Sequence, residues 1–309
     1  MLRCSSRVAA GVFVLAGMLC VPAVAGARVV ADASGRRVAV ADTSRVLAIG
    51  GDVTEILYAL KADANIIAVD STSQFPADAL KEKKNVGYMR ALSAEGALSV
   101  NPSVIIASAG AGPPEVVSVL KASSVPYVEV SDDRTPESVA AKIRFVASVV
   151  GAETQGDLLA KEVEDDFATL ARQRSKIGKP VRALFVLTVQ NGRATVGGAR
   201  TSADAIIRLA GAENAAAQIE GYKPLSDEAA IELAPDAIVT MQHGVSTFQS
   251  DQILSVNGLK SSPAGEQRRI IEMDGLCLLG FGPRASRAAR ELMRALYPDL
   301  PQSRAGAAE

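Results

Sequence analysis

The sequence predicts an α/β protein made of two similar lobes, each built on a parallel-type sheet, that are joined by a single long bridging helix with a cleft between the lobes. Short apolar runs alternate with segments of helical periodicity along most of the chain, which is typical of parallel sheets flanked by helices. One stretch, residues 136–177, has helical periodicity without a strand signal. A motif of about 15 positions also occurs twice, once in each half.

The first 25 residues have the features of a secretory signal peptide. Two arginines precede an apolar run at residues 8–21, and Ala23-Val24-Ala25 then gives the small-x-small pattern of a signal peptidase site. We therefore expect export and cleavage near Ala25. The alternatives are an uncleaved anchor, for which the run is short, and lipid attachment at Cys20, where Leu19 is bulkier than the small residue that such a site needs.

The composition excludes several classes of function. With 33 Lys and Arg against 34 Asp and Glu the chain is nearly neutral, so it has no electrostatic reason to bind nucleic acid. A single His and three Cys exclude zinc sites built from several histidines or cysteines. Removal of the first 25 residues leaves only Cys277, so we expect a buried, inert thiol and no intramolecular disulfide.

The first half predicts four strands with helices between them. The strands are apolar runs at residues 46–49, 66–69, 104–107 and 127–130, and a helix is expected after Pro113-Pro114. Asp52 and Glu55 follow Gly50-Gly51 with the spacing of a capping box. This spacing predicts a helix that runs to about Leu60.

A long helix is predicted between the two halves. Residues 157–174 place apolar side chains on one face at spacings of three and four, and a strand pattern starts again at 183–189. The predicted divisions are a signal peptide at 1–25, an N-terminal lobe at 26–150, a bridging helix at 151–178 and a C-terminal lobe at 179–309. We expect only modest motion between the lobes, because bending a helix needs a specific defect.

The repeated motif places polar residues at equivalent positions of the two halves. Gly87-Tyr88 and Gly221-Tyr222 each precede a Leu-Ser-x-Glu segment that is expected to begin a short helix and lead into a strand. Ligands of open α/β sheets bind at the carboxyl ends of strands, so equivalent loops would line a shared ligand cleft. The candidates are Tyr88 with Arg90, Tyr222 with Lys223, the loop 108–113 and residues 241–244, which include His243.

Four segments resemble one known family. Gly-Gly-Asp-Val-Thr-Glu (50–55), Gly-Tyr-Met-Arg-Ala-Leu-Ser-Ala-Glu-Gly (87–96), Gly-Tyr-Lys-Pro-Leu-Ser (221–226) and Gly-Phe-Gly-Pro-Arg (280–284) look like periplasmic haem-binding proteins of bacterial ABC importers. The resemblance covers residues 44 to 297, and the wider class also binds cobalamin and ferric siderophores. It implies a monomeric periplasmic carrier, not an enzyme, that delivers haem to a permease dimer with its ATPase subunits.

The resemblance implies that Tyr88 is the axial ligand of haem iron. A phenolate is a hard anionic oxygen donor that suits ferric iron, and tyrosine is a known haem ligand. The free phenol has a pKa near about 10, so iron and nearby positive charge must stabilise the anion. Arg90 can donate to the phenolate or to a haem propionate. Residue type alone leaves the alternative that Tyr88 packs as a half-buried aromatic and Arg90 is solvated.

Other residues are candidates for the second face or the edge of the haem. Tyr222 and Lys223 would cover a face and meet a carboxylate, and Arg284 is either a propionate partner or a solvated arginine at the start of the last helix. His243 is either a second iron ligand or an incidental loop residue. Some relatives have a second-lobe histidine after the strand at 183–189, but residues 187–190 contain none here.

Glu95 and Glu228 are assigned by the resemblance to permease docking. Proteins of this class place one surface glutamate of each lobe against arginines of the two permease subunits, and equivalent sites on two lobes fit a partner with pseudo-twofold symmetry. The local alternative is that each acid stabilises the start of its helix through the helix dipole, by about 0.3–1 kcal/mol.

Two other functions stay open. The same fold would serve to bind a ferric siderophore or cobalamin, and a two-lobed α/β protein can also be an enzyme that acts on a substrate in the cleft. The sequence contains no nucleophile elbow and no phosphate-binding loop, and it has too few His and Cys residues for most such enzymes. The sequence leaves open whether one haem or two are bound.

Overall fold

The computed structural model describes residues 26–242 and 250–300, and its first element is an antiparallel hairpin. The hairpin consists of β1 (Arg28–Ala31) and β2 (Arg37–Val40). At its tip, the side chain of Arg36 donates to the carboxylate of Asp32 at 3.0 Å and to the main-chain carbonyl of Tyr127 at 2.7 Å. The hairpin, for which the sequence pattern predicts no element, is thereby anchored to the strand that contains Tyr127.

The N-terminal lobe contains a five-stranded sheet whose strands are all parallel, in the order β5-β4-β3-β6-β7. Its elements are β3 (Val46–Ile49), α1 (Gly51–Ala59), β4 (Ile66–Val69), α2 (Asp78–Glu82), β5 (Lys84–Asn85), α3 (Ala94–Leu98), β6 (Val104–Ser108), α4 (Pro114–Ala122) and β7 (Tyr127–Val130), with a 3-10 turn at Asp63–Asn65. The four predicted strands are confirmed. β3 and β6 are buried at every position, as central strands covered on both faces should be.

Two helices follow this sheet. α5 (Pro136–Val150) ends at Gly151, whose φ of 76° is left-handed, and α6 (Glu153–Arg174) is 22 residues long. α6 packs along α5, and its Asp166 accepts a hydrogen bond at 2.9 Å from Arg290 near the end of the chain. α6 is therefore the single long helix that joins the lobes, whereas the exact lobe boundaries stay predictions.

Gly156 fixes how closely α5 and α6 approach each other. A Cβ atom at this position would collide with the Cβ of Ala147 on α5. We therefore expect Gly156→Ala to lower the free energy of unfolding by about 1–3 kcal/mol, the usual cost of overpacking, although alanine is favoured over glycine within a helix by about 1 kcal/mol. Urea denaturation of the purified protein measures this.

Gly96, in α3, is the matched control for that substitution. It is also helical, but a Cβ there would meet nothing closer than 3.6 Å. Gly96→Ala should therefore leave the free energy of unfolding unchanged or raise it. Equal effects of the two substitutions would show that the contact between α5 and α6 is not tight.

The C-terminal lobe contains a mixed sheet in the order β11-β9-β8-β12-β13, with β10 also paired to β8. Its elements are β8 (Arg182–Gln190), β9 (Arg193–Gly197), α7 (Ser202–Leu209), β10 (Glu213–Asn214), β11 (Tyr222–Pro224), α8 (Asp227–Leu233), β12 (Ala237–Gln242), α9 (Ser250–Ile253), α10 (Asn257–Lys260), α11 (Pro263–Glu266), β13 (Ile270–Asp274), α12 (Gly275–Leu279) and α13 (Ala285–Leu296). β10 and β12 both pair in parallel with the central strand β8, and β13 pairs in parallel with β12.

An antiparallel hairpin distinguishes this sheet from the first. β9 is antiparallel to β8 and to β11, and the β8–β9 turn is Asn191-Gly192. Both turn residues are left-handed, with φ values of 51° and 72°. Asn-Gly is the preferred sequence for a two-residue hairpin turn with this backbone conformation. The prediction of two similar α/β lobes is confirmed. The antiparallel strand β9 distinguishes the second sheet from the first, in which all strands are parallel.

The repeated motif forms equivalent helices in the two lobes. Ser93 caps α3 by accepting from the amide of Gly96, and Ser226 caps α8 by accepting from the amide of Ala229, both at 3.2 Å. Each Leu-Ser-x-Glu segment therefore begins a short helix that leads into a strand, β6 or β12, as predicted.

The start of α1 differs from its prediction. Gly50 is the N-cap, with a φ of 111° that favours glycine, and no side chain caps the helix. Asp52 and Glu55 are instead buried and pair with Lys142 on α5 and with Arg284 in front of α13. The predicted capping box is therefore wrong, because both acids are used in contacts with distant parts of the chain.

Candidate functional site

Tyr88 lies on a tight turn directly after the edge strand β5. Its side chain is 47% exposed, which is high for so large a residue. The preceding Gly87 has a φ of 100°, a conformation that favours glycine, and the amide of Ala91 donates to the carbonyl of Tyr88 at 2.8 Å to close the turn. The backbone is thus specified locally while the aromatic ring faces solvent.

The Tyr88 turn is also held by its neighbours. The amide of Gly112 donates to the carbonyl of Met89, and the amide of Leu92 donates back to the carbonyl of Gly112, both at 2.9 Å. The amide of Ser71 donates to the carbonyl of Gly87 at 2.8 Å. Met89 packs against the buried cluster beneath the turn, whereas Arg90 is exposed like Tyr88. The glycine-rich loop 108–113 therefore supports the Tyr88 turn.

Tyr222, the equivalent residue of the second lobe, has a different environment. Its ring packs edge-on against Phe185, with the ring centroids 6.4 Å apart. Burial raises the pKa of Tyr222, and this effect outweighs hydrogen bonding to Ala203 and Thr201 at the start of α7 and the positive charges of Arg134 and Arg90, which lower it. Lys223, the neighbour of Tyr222 in sequence, is exposed.

Arg284 is part of a contact between the lobes. Its guanidinium donates to Glu55 on α1 at 3.0 Å, and its main-chain amide donates to the same carboxylate at 3.0 Å. The guanidinium carbon also lies 3.6 Å from the centroid of the Phe75 ring. Burial raises the pKa of Glu55, although the Arg284 charge opposes this shift. The assignment of Arg284 to a haem propionate stays a prediction.

A buried ionic network lies next to that contact and was not predicted. Lys142 on α5 donates to Asp52 at 2.6 Å, and Ser108 at the end of β6 donates to the same carboxylate at 3.0 Å. The Lys142 side chain is only 1% exposed and also reaches the carbonyl of Phe281 in the second lobe at 3.4 Å. No local sequence pattern marks this network, because its members come from four distant segments.

The remaining predicted residues are Glu95, Glu228, His243 and Cys277. Glu95 and Glu228 are both exposed in the first turns of α3 and α8, at the equivalent positions that the repeat predicts. His243 lies outside the described residues. Cys277 is buried and free, and burial raises the pKa of its thiol to about 11. Residues 26–242 and 250–300 contain no group of three or more His, Cys, Asp or Glu side chains that could hold a metal ion.

The two lobes, the bridging helix and the exposed aromatic and arginine side chains on loops that follow strand ends are the architecture of a protein that binds a ligand between two lobes. The chain belongs to the periplasmic binding protein family, whose sequence signature matches residues 46–275. Across the part of the chain that the structure describes, no helix is both long enough and apolar enough to cross a bilayer.

Solved structures similar to this chain include two haem-binding proteins. The periplasmic heme-binding protein RhuT from Roseiflexus sp. RS-1, in its apo form, is 37% identical, and the match covers 84% of this chain and 100% of RhuT with a TM-score of 0.79. The periplasmic heme-binding protein BhuT in complex with two hemes is also 37% identical, with coverages of 83% and 99% and a TM-score of 0.77.

Relatives found by sequence are more distant. The uncharacterized ABC transporter substrate-binding lipoprotein YvrC of Bacillus subtilis (strain 168) is 26% identical over 272 residues, which are 87% of this chain and 85% of YvrC. The vitamin B12-binding protein of Vibrio parahaemolyticus is 25% identical over 203 residues, which are 65% of this chain and 72% of that protein.

Proposed function

We propose that this protein captures ferric haem in the periplasm, with Tyr88 as the axial iron ligand, and delivers it to an ABC importer of the inner membrane. The observation that carries the proposal is the exposed Tyr88 side chain on a turn whose main chain is already fixed by hydrogen bonds. A ligating group that is held in place before binding loses little conformational freedom when the ligand arrives.

The donor chemistry of the turn fits ferric haem. The phenolate supplies a hard anionic oxygen to the iron, and Arg90 supplies positive charge two residues away. Both side chains are exposed on the same turn, so a flat macrocycle can approach them without rearrangement of the backbone. The similarity to RhuT and BhuT, each 37% identical, supports haem as the ligand.

The second candidate function is the binding of cobalamin or a ferric siderophore by the same cleft. The similarity to vitamin B12-binding proteins favours this alternative, although the identity is lower, at 25% over 65% of the chain. Cobalamin already carries its own axial ligands, so a free phenolate donor is a feature that haem uses and cobalamin does not need.

Titration of the mature protein with hemin, cyanocobalamin and ferric enterobactin in parallel tests the proposal. We expect stoichiometric binding of hemin with the absorption spectrum of a high-spin tyrosinate complex, and no binding of the other two at micromolar concentration. The hemin titration also gives the number of haems bound per chain. Stoichiometric binding of cyanocobalamin without hemin binding would reject haem as the cargo.

We further propose roles for the other predicted residues. Tyr222 and Lys223 would contact the haem from the second lobe, Arg284 would meet a propionate only if its pair with Glu55 is weakened, and His243 is an optional second ligand. The carrier is monomeric and reaches the periplasm after cleavage of the signal peptide near Ala25, outside the described residues.

Docking to the permease through Glu95 and Glu228 gives a separate prediction. Both acids are exposed at equivalent positions of the two lobes, so charge reversal at both should remove contacts to a two-subunit partner. We expect Glu95→Lys with Glu228→Lys to abolish haem transport and stimulation of the importer's ATPase in proteoliposomes, while hemin affinity is unchanged.

The matched control for docking is Glu162→Lys, which reverses an exposed acid on the bridging helix. This variant should support normal transport. If the double variant lost hemin affinity, both glutamates would belong to the ligand cleft. If it retained full transport, docking through these residues would be rejected.

A further inference from the structure

Arg134 forms a contact between the two lobes that is separate from that of Arg284. It lies in the segment between β7 and α5, and its Nε donates to the hydroxyl of Ser202, the first residue of α7, at 2.9 Å. Its Nη2 donates to Asp132 at 2.7 Å. Asp132 in turn lies next to Gly110, so Arg134 stands between the glycine-rich loop of one lobe and the α7 helix of the other.

Arg134 retains hydrogen-bonding capacity toward the cleft. A guanidinium has five N–H donors in a planar fork, and the described contacts of Arg134 use one on Nε and one on Nη2. Among residues 26–242 and 250–300, no acceptor lies within hydrogen-bonding distance of the two Nη1 donors. The side chain is 31% exposed, so a ligand can reach this free edge while the two contacts hold the plane of the group.

The surroundings of Arg134 favour an anion. Arg134 and Arg90 both adjoin the glycine-rich loop, through Asp132 beside Gly110 and through the carbonyl of Arg90 beside Gly112. Tyr222 lies beside the first turn of α7, because a Cβ atom on Gly197 would meet both Ala203 and Tyr222. The first turn of α7 adds the positive end of its helix dipole. Within the described part of the chain Arg134 pairs with one acid, Asp132, which is 46% exposed, and one carboxylate does not balance two guanidinium groups.

We propose that Arg134 binds a carboxylate of the transported ligand and makes the cleft selective for a macrocycle that carries acidic side chains. This inference rests on the proposed haem-binding function. Ser202 and Asp132 orient the guanidinium, and the carboxylate of the ligand accepts hydrogen bonds from Nη1. Binding leaves the iron ligand unchanged, so Arg134 acts on affinity and orientation, and the spectrum of the iron complex should not depend on it.

The experiment compares hemin with hemin dimethyl ester, in which both propionates are uncharged esters. Arg134→Gln should weaken the binding of hemin at least about tenfold, the usual effect of losing a hydrogen bond to a charged group. The same substitution should leave the affinity for the dimethyl ester unchanged. The tyrosinate-type spectrum should persist in both complexes.

Two control variants separate this role from a structural one. Ser202→Ala removes the contact between the lobes and one of the two contacts that orient the guanidinium, but it keeps the Arg134 charge, so it should weaken hemin binding by less than Arg134→Gln does. Arg144→Gln removes an exposed charge on α5, where Arg144 pairs with Glu164 on α6, and should change nothing.

The outcomes that overturn the inference are distinct from failure of the proposed function. Equal hemin affinity of Arg134→Gln and wild type would overturn it, as would equal weakening of hemin and its dimethyl ester. A loss of hemin affinity in Ser202→Ala as large as that in Arg134→Gln would assign the effect to the contact between the lobes. Absence of hemin binding by the wild type would reject both the proposed function and this inference.

Discussion

Replacement of Tyr88 by phenylalanine is expected to abolish the tyrosinate-type absorption spectrum of the ferric haem complex. It should also weaken haem binding by at least about a hundredfold, which corresponds to about 2.7 kcal/mol. Phenylalanine keeps the shape of the ring and removes only the phenol oxygen, which is the proposed iron ligand. Because the turn is held by main-chain hydrogen bonds, the substitution leaves the backbone in place.

Absorption spectra and equilibrium titration with hemin measure both effects. Tyr222→Phe is the matched control, because Tyr222 is equivalent in the repeat but half-buried against Phe185, and it should retain the tyrosinate-type spectrum. Metal-free protoporphyrin IX provides a second control, since its affinity should be the same for wild type and Tyr88→Phe. An unchanged hemin spectrum in Tyr88→Phe would show that another residue binds the iron.

Replacement of Lys142 by methionine is expected to have the largest effect on stability. The Lys142 ammonium is 1% exposed and pairs with Asp52 at 2.6 Å, so its removal leaves a buried carboxylate without its counterion. Breaking a buried ion pair from one side costs about 3–5 kcal/mol. Methionine fills a similar volume, so the loss comes from charge and not from a cavity. Urea denaturation followed by circular dichroism measures it.

The double variant Asp52→Asn with Lys142→Met tests the cause of that loss. Asparagine keeps an oxygen that accepts from Ser108 and removes the unbalanced charge, so the double variant should be more stable than Lys142→Met alone. A matched exposed pair is Arg144 with Glu164, where Arg144→Met should cost less than about 1 kcal/mol. If the double variant were less stable than Lys142→Met, the charge of Asp52 would not be the cause.

The sequence predicts the central strands of the first lobe well because uninterrupted apolar runs are typical of parallel strands buried on both faces. β3, β4 and β7 begin and end where their apolar runs do. The hairpin between β8 and β9 also has a signal, Asn191-Gly192, and a search for two-residue turns would find it. The capping box fails because a local spacing cannot show that Asp52 and Glu55 serve distant partners.

The candidate site is predictable only in part for a similar reason. The repeat indicates that Tyr88 and Tyr222 occupy equivalent positions, but burial differs because only Tyr222 packs against Phe185. Arg134 follows the end of a strand, as the other candidates do, yet it has no counterpart in the repeat. Its importance becomes visible only when the fold brings Ser202 of the other lobe within hydrogen-bonding distance.

The two lobes are tied at several points besides the bridging helix, through Arg284 with Glu55, Lys142 with Phe281 and Arg134 with Ser202. Lobes that are held together at several points keep nearly the same separation before and after ligand capture, so little binding energy is used to change the shape of the site. Uptake of ligand is then close to docking on a rigid surface. Release of the ligand then requires work, because a partner that separates the lobes has to break these contacts in order to empty the cleft.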